Sequence, residues 1–100
     1  MRMLLKVSIP VDAGNKGVKE GTLPKTMMAF VDHWKPEATY FTAENGMRTA
    51  YFVFDLKDPT LIPSAAEPFF SNLNASVEFK PVMNLEEMRN GVDKAMKQHT

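Results

Sequence analysis

The chain has 100 residues, a size that supports a single domain with one core, burying roughly 65% of the surface its unfolded form exposes. Twelve basic and twelve acidic residues cancel and neither sign gathers into a block, which excludes the electrostatic footprint of a nucleic-acid or anionic-membrane partner. The absence of cysteine excludes disulfides, a thiol nucleophile and a zinc-thiolate site, and no apolar run approaches the roughly 18 residues of a helical membrane span.

Met1 to Lys6 carries an apolar run too short for a secretion signal, so a soluble cytoplasmic protein is the expectation. From Arg2 to Ile9, Met3, Leu5, Val7 and Ile9 alternate with Leu4, Lys6 and Ser8, the period of a half-buried strand. Pro10 ends it. Val11 to Thr22 holds Gly14, Gly17 and Gly21 among polar residues and reads either as a frayed helical turn or as a mobile loop. From Leu23 the apolar positions Leu23, Met27, Phe30, Val31 and Trp34 recur at helical spacing, with Pro24 near the start, where its missing N–H costs little. Pro36 stops this helix at Trp34 or Lys35.

Two β-prone runs, Ala38–Glu44 and Met47–Phe54, flank Asn45-Gly46. A type I′ turn needs positive φ at both central residues, which Asn tolerates and Gly adopts freely. The turn sets a register: Glu44 faces Met47, Ala43 faces Arg48, Thr42 faces Thr49, Phe41 faces Ala50, Tyr40 faces Tyr51 and Thr39 faces Phe52. Asp58 and Pro59 read as a cap followed by proline at the first helical position. Pro63 and Pro68 predict a broken or kinked helix between Thr60 and Asn72, packing Leu61, Ile62, Phe69, Phe70 and Leu73. Ala75 to Met83 is a further strand with Val77 and Phe79 inward. Asn84, followed by Glu86 and Glu87, opens a last helix reaching about Lys97.

The order β, α, β, β, α, β, α is a ferredoxin-like α+β pattern: βαββαβ with a four-stranded antiparallel sheet, both helices on one face, and an added C-terminal helix. The sheet face carrying Met3, Leu5, Val7, Ile9, Phe41, Ala50, Phe52, Phe54, Val77 and Phe79 is expected beneath the helices. Leu4, Lys6, Tyr40, Thr42, Thr49, Tyr51, Val53, Glu78, Lys80 and Val82 share the other face.

The strand order, the Asn45-Gly46 hairpin, the Asp58-Pro59 helix start and the ending Val77-Glu78-Phe79-Lys80-Pro81-Val82-Met83 before a terminal helix resemble the dimeric α/β-barrel superfamily, in particular its small bacterial families of unknown function. The resemblance implies two ferredoxin-like subunits packed sheet to sheet. Its members include cofactor-free monooxygenases, muconolactone isomerase, haem-degrading enzymes and ligand-sensing domains, so it leaves the activity open.

His33 sits near the end of the Leu23–Trp34 helix, where it suits proton transfer at neutral pH but is equally accounted for by the helix dipole. It has no second histidine or cysteine at ligand spacing, so neither a metal nor a haem cofactor is expected. Tyr40 and Tyr51 offer hydroxyls, although a cross-strand aromatic pair is worth ~0.2–1 kcal/mol as structure alone. Arg48 near the turn lies close to the glycine-containing segment, either holding a carboxylate or simply solvated.

These residues support one leading expectation: a small-molecule binding or sensing module with its pocket between sheet and helices, bounded by His33, Trp34, Thr39 and Phe52 at one end and by Arg48 at the other. An alternative is a cofactor-independent monooxygenase or isomerase acting on an aromatic or lactone-like substrate, with His33 or Tyr40 moving a proton. A purely structural interaction module is the third reading. The expected partner is a second copy, through a face including Leu4, Lys6, Tyr40, Tyr51, Val53, Glu78, Lys80 and Val82, whose mixed charges suit a two-fold contact.

Overall fold

The computed structural model describes residues 1–99 and is an α+β fold with one four-stranded antiparallel sheet. In chain order it contains β1 (Arg2–Ile9), α1 (Val11–Glu20), α2 (Thr22–Trp34), β2 (Ala38–Glu44), β3 (Met47–Asp55), a 3-10 turn (Pro59–Leu61), α3 (Ile62–Leu73), β4 (Ser76–Pro81) and α4 (Leu85–Gln98). The sheet order is β2-β3-β1-β4, which places β1 and β3 centrally, as the ferredoxin-like expectation requires.

The hairpin has the register the turn residues dictate. Asn45 and Gly46 both take positive φ, 54° and 75°, and every pair from Glu44–Met47 to Thr39–Phe52 is as expected. β1 alternates strictly between half-buried and buried residues. Its buried side, Met3, Leu5, Val7 and Ile9, meets Phe52, Phe54, Phe69 and Phe30 to form the core beneath the helices. The rings interlock there: Phe30 lies 4.4 Å from Phe52, 5.3 Å from Phe54 and 5.4 Å from Phe69, centroid to centroid.

Residues 11–20 are a regular helix, neither the frayed turn nor the mobile loop expected of the glycine-containing segment. Gly14 and Gly17 are buried because the helix lies close against its neighbours: a Cβ on Gly17 would meet Leu23 Cβ at 3.0 Å and Leu73 Cδ2 at 3.3 Å. Gly21 then takes φ 79° and turns the chain into α2. At the far end of α2, Lys35 adopts the left-handed conformation before Pro36.

The expected break between Thr60 and Asn72 is replaced by a short capped turn and one continuous helix. Asp58 accepts the N–H of Thr60, and the 3-10 turn runs directly into α3. Pro63 stands in the first turn, where no helical donor is needed, and Pro68 is carried inside the helix. Burying Ala65, Phe69 and Leu73 on one side outweighs the single lost bond. Phe70, expected to pack inward, is instead 43% exposed. Phe41 is likewise exposed, because β2 is an edge strand that the helices do not reach.

α4 opens with a capping box, Asn84 and Glu87 each accepting the other's backbone N–H, and none of its residues is buried. Its first turn is tied to the body through Glu87 and Arg2, and Arg2 also binds Glu37 at 2.8 Å.

Candidate functional site

The helix layer has an aromatic concavity. α2 and α3 run side by side and leave a groove of about 390 Å³ lined by Thr26, Ala29, Phe30, His33, Trp34, Ser64, Ala65 and Pro68. Residues 26, 29, 30 and 33 share one face of α2 at helical spacing, and residues 64, 65 and 68 share one face of α3. Trp34 stands edge-on to His33 at 5.0 Å and to Phe54 at 5.4 Å, so its ring is held by the core on one side. Thr26 Oγ1 donates to Thr22 O at 2.7 Å and accepts from Asn72 Nδ2 at 3.3 Å, which leaves it little further capacity. Pro68 contributes differently. It has no N–H for the carbonyl of Ser64 four residues back, so that carbonyl lacks its usual helical donor.

The groove unites His33 and Trp34 and excludes the other expected pocket residues. Thr39 and Phe52 face each other across β2 and β3, and Phe52 is fully buried, its ring filling the space between sheet and helices. Arg48 lies at the hairpin end of the sheet, where Nη1 donates to Asn15 Oδ1 at 3.2 Å and the side chain crosses Gly14. His33 and Tyr40, the two expected proton carriers, occupy opposite sides of the sheet. Sequence reasoning missed Thr26, Ser64 and Pro68. A proline inside a helical pattern was a signal, but the groove itself depends on how two helices pack.

The open face of the sheet collects the remaining expected residues. The register stacks them in rows that cross all four strands: Ala38, Val53, Leu4 and Lys80 in one, Tyr40, Tyr51, Lys6 and Glu78 in the next. Val82, just past β4, donates its N–H to Arg2 O at 3.1 Å and continues this face. A shallow polar concavity of about 320 Å³ lies among Leu4, Lys6, Glu44, Tyr51, Glu78 and Lys80. Glu44 is its hub. Its carboxylate accepts from the Tyr51 hydroxyl and pairs with the Lys6 ammonium, while Glu78 stands 3.8 Å from Lys6.

The bond to Lys6, then that from Tyr51, lowers the pKa of Glu44; its carboxylate in turn raises both the Lys6 and the Tyr51 pKa. The phenol therefore remains a donor rather than a base. Glu44 was absent from the expected set, though alternation from Tyr40 and Thr42 already assigned it to this face. Tyr40 differs from its partner: it is 67% exposed and outside the cluster.

No family model matches the chain, and no curated protein matches it at a significant level. Among the described residues no helix is long and apolar enough to cross a membrane, and no group of three or more His, Cys, Asp or Glu side chains gathers at metal-binding distance.

Proposed function

We propose that this chain is a small-molecule binding module, a ferredoxin-like subunit that pairs through its open sheet face into a homodimeric α/β barrel and holds its ligand in the groove between α2 and α3. The observation that carries the reading is the groove's composition and size. Its volume of about 390 Å³ lies within the range of roughly 300–1,000 Å³ of small-molecule sites, and it combines aromatic walls with a few polar groups. Trp34 and Phe30 offer rings for stacking, while the Ser64 carbonyl and the His33 imidazole offer directed hydrogen bonds. The matching ligand is a planar aromatic ring bearing an N–H or O–H donor.

The pairing is supported by the open face, where no helix covers half-buried Leu4, Tyr51 and Val53. Lys6 and Lys80 against Glu44 and Glu78 make the face self-complementary about a two-fold axis.

Trp34 is the sole tryptophan, so its emission reports the groove directly. Titration with phenol and benzamide fragments is expected to shift that emission saturably in the wild type, with affinity reduced about tenfold or more in Ser64→Phe, which fills the groove from its exposed rim. Saturable shifts unchanged by Ser64→Phe, or no shift with any fragment, overturn the assignment of the groove.

A further inference from the structure

Among the described residues α4 is the one helix or strand that packs substantially on no other element. None of its residues is buried, and the molecule extends 58 Å along one axis against 27 and 19 Å along the others. The radius of gyration is 16.2 Å, where a compact chain of this length has about 13 Å. The accessible surface is 6831 Å², against about 5,700 Å² for a compact monomer of this mass, an excess of about 1,100 Å². A stable homodimer of standard size buries about 800 Å² per partner, so the excess is of the size that one interface consumes.

The excess has an apolar side. Leu85, Met88, Val92 and Met96 recur at steps of three, four and four and are 61%, 41%, 49% and 56% exposed, forming a single stripe along the helix. The charges off this stripe identify what suits it. Glu86, Glu87 and Asp93 balance Arg89, Lys94 and Lys97, so the polar side is neutral. An anionic lipid surface or a nucleic acid calls for a basic polar side, which is missing. The root of the helix lies beside the open face, where Arg2 of β1 binds Glu87, so α4 leaves the body at the margin of the surface through which the homodimer reading pairs two copies.

We propose that α4 is an arm exchanged between two copies of this chain, its Leu85–Met88–Val92–Met96 stripe closing on the partner subunit. The proposal rests on the homodimer reading in taking a second copy as the occupant, and it adds the segment that locks the pair.

Sedimentation velocity on the full chain over about 1 to 100 µM separates the two claims when wild type is compared with Met88→Asp/Val92→Asp on the arm and Tyr40→Glu on the open face. All these sites are exposed, and thermal melts at the lowest concentration verify that each variant is folded. The wild type is expected to be a dimer, with the dimer dissociation constant of the arm variant about 30-fold or more higher, as for loss of an interface hot spot. An arm variant with the wild-type dissociation constant overturns the exchange, whether or not Tyr40→Glu weakens the dimer. A dimer weakened by the arm variant and indifferent to Tyr40→Glu supports the arm and counts against the open face. A wild type that stays monomeric overturns both; a compact Stokes radius then places α4 on its own subunit, and co-sedimentation with phosphatidylglycerol vesicles places it on lipid.

Discussion

The guanidinium of Arg48 lies across the bare Cα of Gly14: a Cβ built there would stand 2.5 Å from Nη1 and 3.3 Å from Cδ. The same helix has a second close approach at Gly17, but there the opposing atoms are Leu23 Cβ, Leu73 Cδ2 and the Leu23 backbone nitrogen. The difference is mechanical, since an exposed arginine tip can swing aside and a packed helix cannot. Gly14→Ala is therefore expected to stabilise by about 0.5–1 kcal/mol through helix propensity. Gly17→Ala is expected to lose about 1 kcal/mol net, the same gain being outweighed by overpacking. Urea unfolding of the two variants checks the ordering, and equal effects would reject this account of α1.

The hairpin turn is the least forgiving exposed position. Gly46 has φ 75°, and a Cβ added there would meet nothing within 4 Å, so any penalty for substitution comes from the backbone alone. Gly46→Val is expected to cost about 1–3 kcal/mol. A thermal midpoint equal to wild type contradicts the type I′ turn.

Acid stability depends on carboxylates whose pKa values the fold lowers. Bonding to Lys57, and then to the N-terminal ammonium, takes Asp55 down to about 2, and Glu44 is lowered by Lys6. A carboxyl lowered in this way contributes stability above its unfolded pKa near 4, and the contribution is lost as pH falls through the folded value. The Asp55 part of the loss is therefore expected between about pH 4 and about pH 2. Thermal melts of wild type and Asp55→Asn through that interval should show a shallower decline in the variant. Parallel declines would mean that the pair adds nothing in solution, as exposed pairs often do.

Lys6 and Tyr51 act on the alkaline side. Both pKa values are raised, so their contribution is full below about pH 10 and fades as pH climbs through the folded values. Tyr51→Phe removes one of these groups and is expected to flatten the fall in midpoint above about pH 9.5, as read by far-UV circular dichroism.

Pro68 trades stability for shape. Pro68→Ala restores an N–H for the Ser64 carbonyl and is expected to stabilise α3 by about 1–2 kcal/mol, the helical gain being reduced by the added freedom of the unfolded chain. If the groove takes its ligand through the Ser64 carbonyl, the same change occupies that acceptor, and fragment affinity measured by Trp34 emission is expected to fall while the urea midpoint rises.

Local rules reached far into this fold wherever the decisive interaction lay within a few residues. Asn45-Gly46 carried the entire β2–β3 register, and alternation placed Leu4, Lys6, Tyr51 and Val53 together on the open face. α1 was ambiguous because glycine counts against a helix locally, while the reason for Gly17 lies in Leu23 and Leu73, the latter 56 positions away in the chain. Pro68 misled in the same way, its local cost being offset by Phe69 and Leu73 in the core. The groove was half legible: His33 and Trp34 are neighbours in sequence, but Ser64 joins them only through the packing of α2 on α3.

A terminal helix that stands clear of its own core also has no stability to borrow from it. Fourteen residues are near the lower limit for a helix alone in water, and Gly91 in its middle costs about 1 kcal/mol more. The capping box and the tie from Glu87 to Arg2 secure only the first turn. On the arm-exchange proposal, dilution to isolated subunits is therefore expected to unwind α4 from its far end while the sheet and the other helices persist. Mean residue ellipticity at 222 nm is then expected to vary with protein concentration, so that the helix content of the chain would itself gauge its assembly.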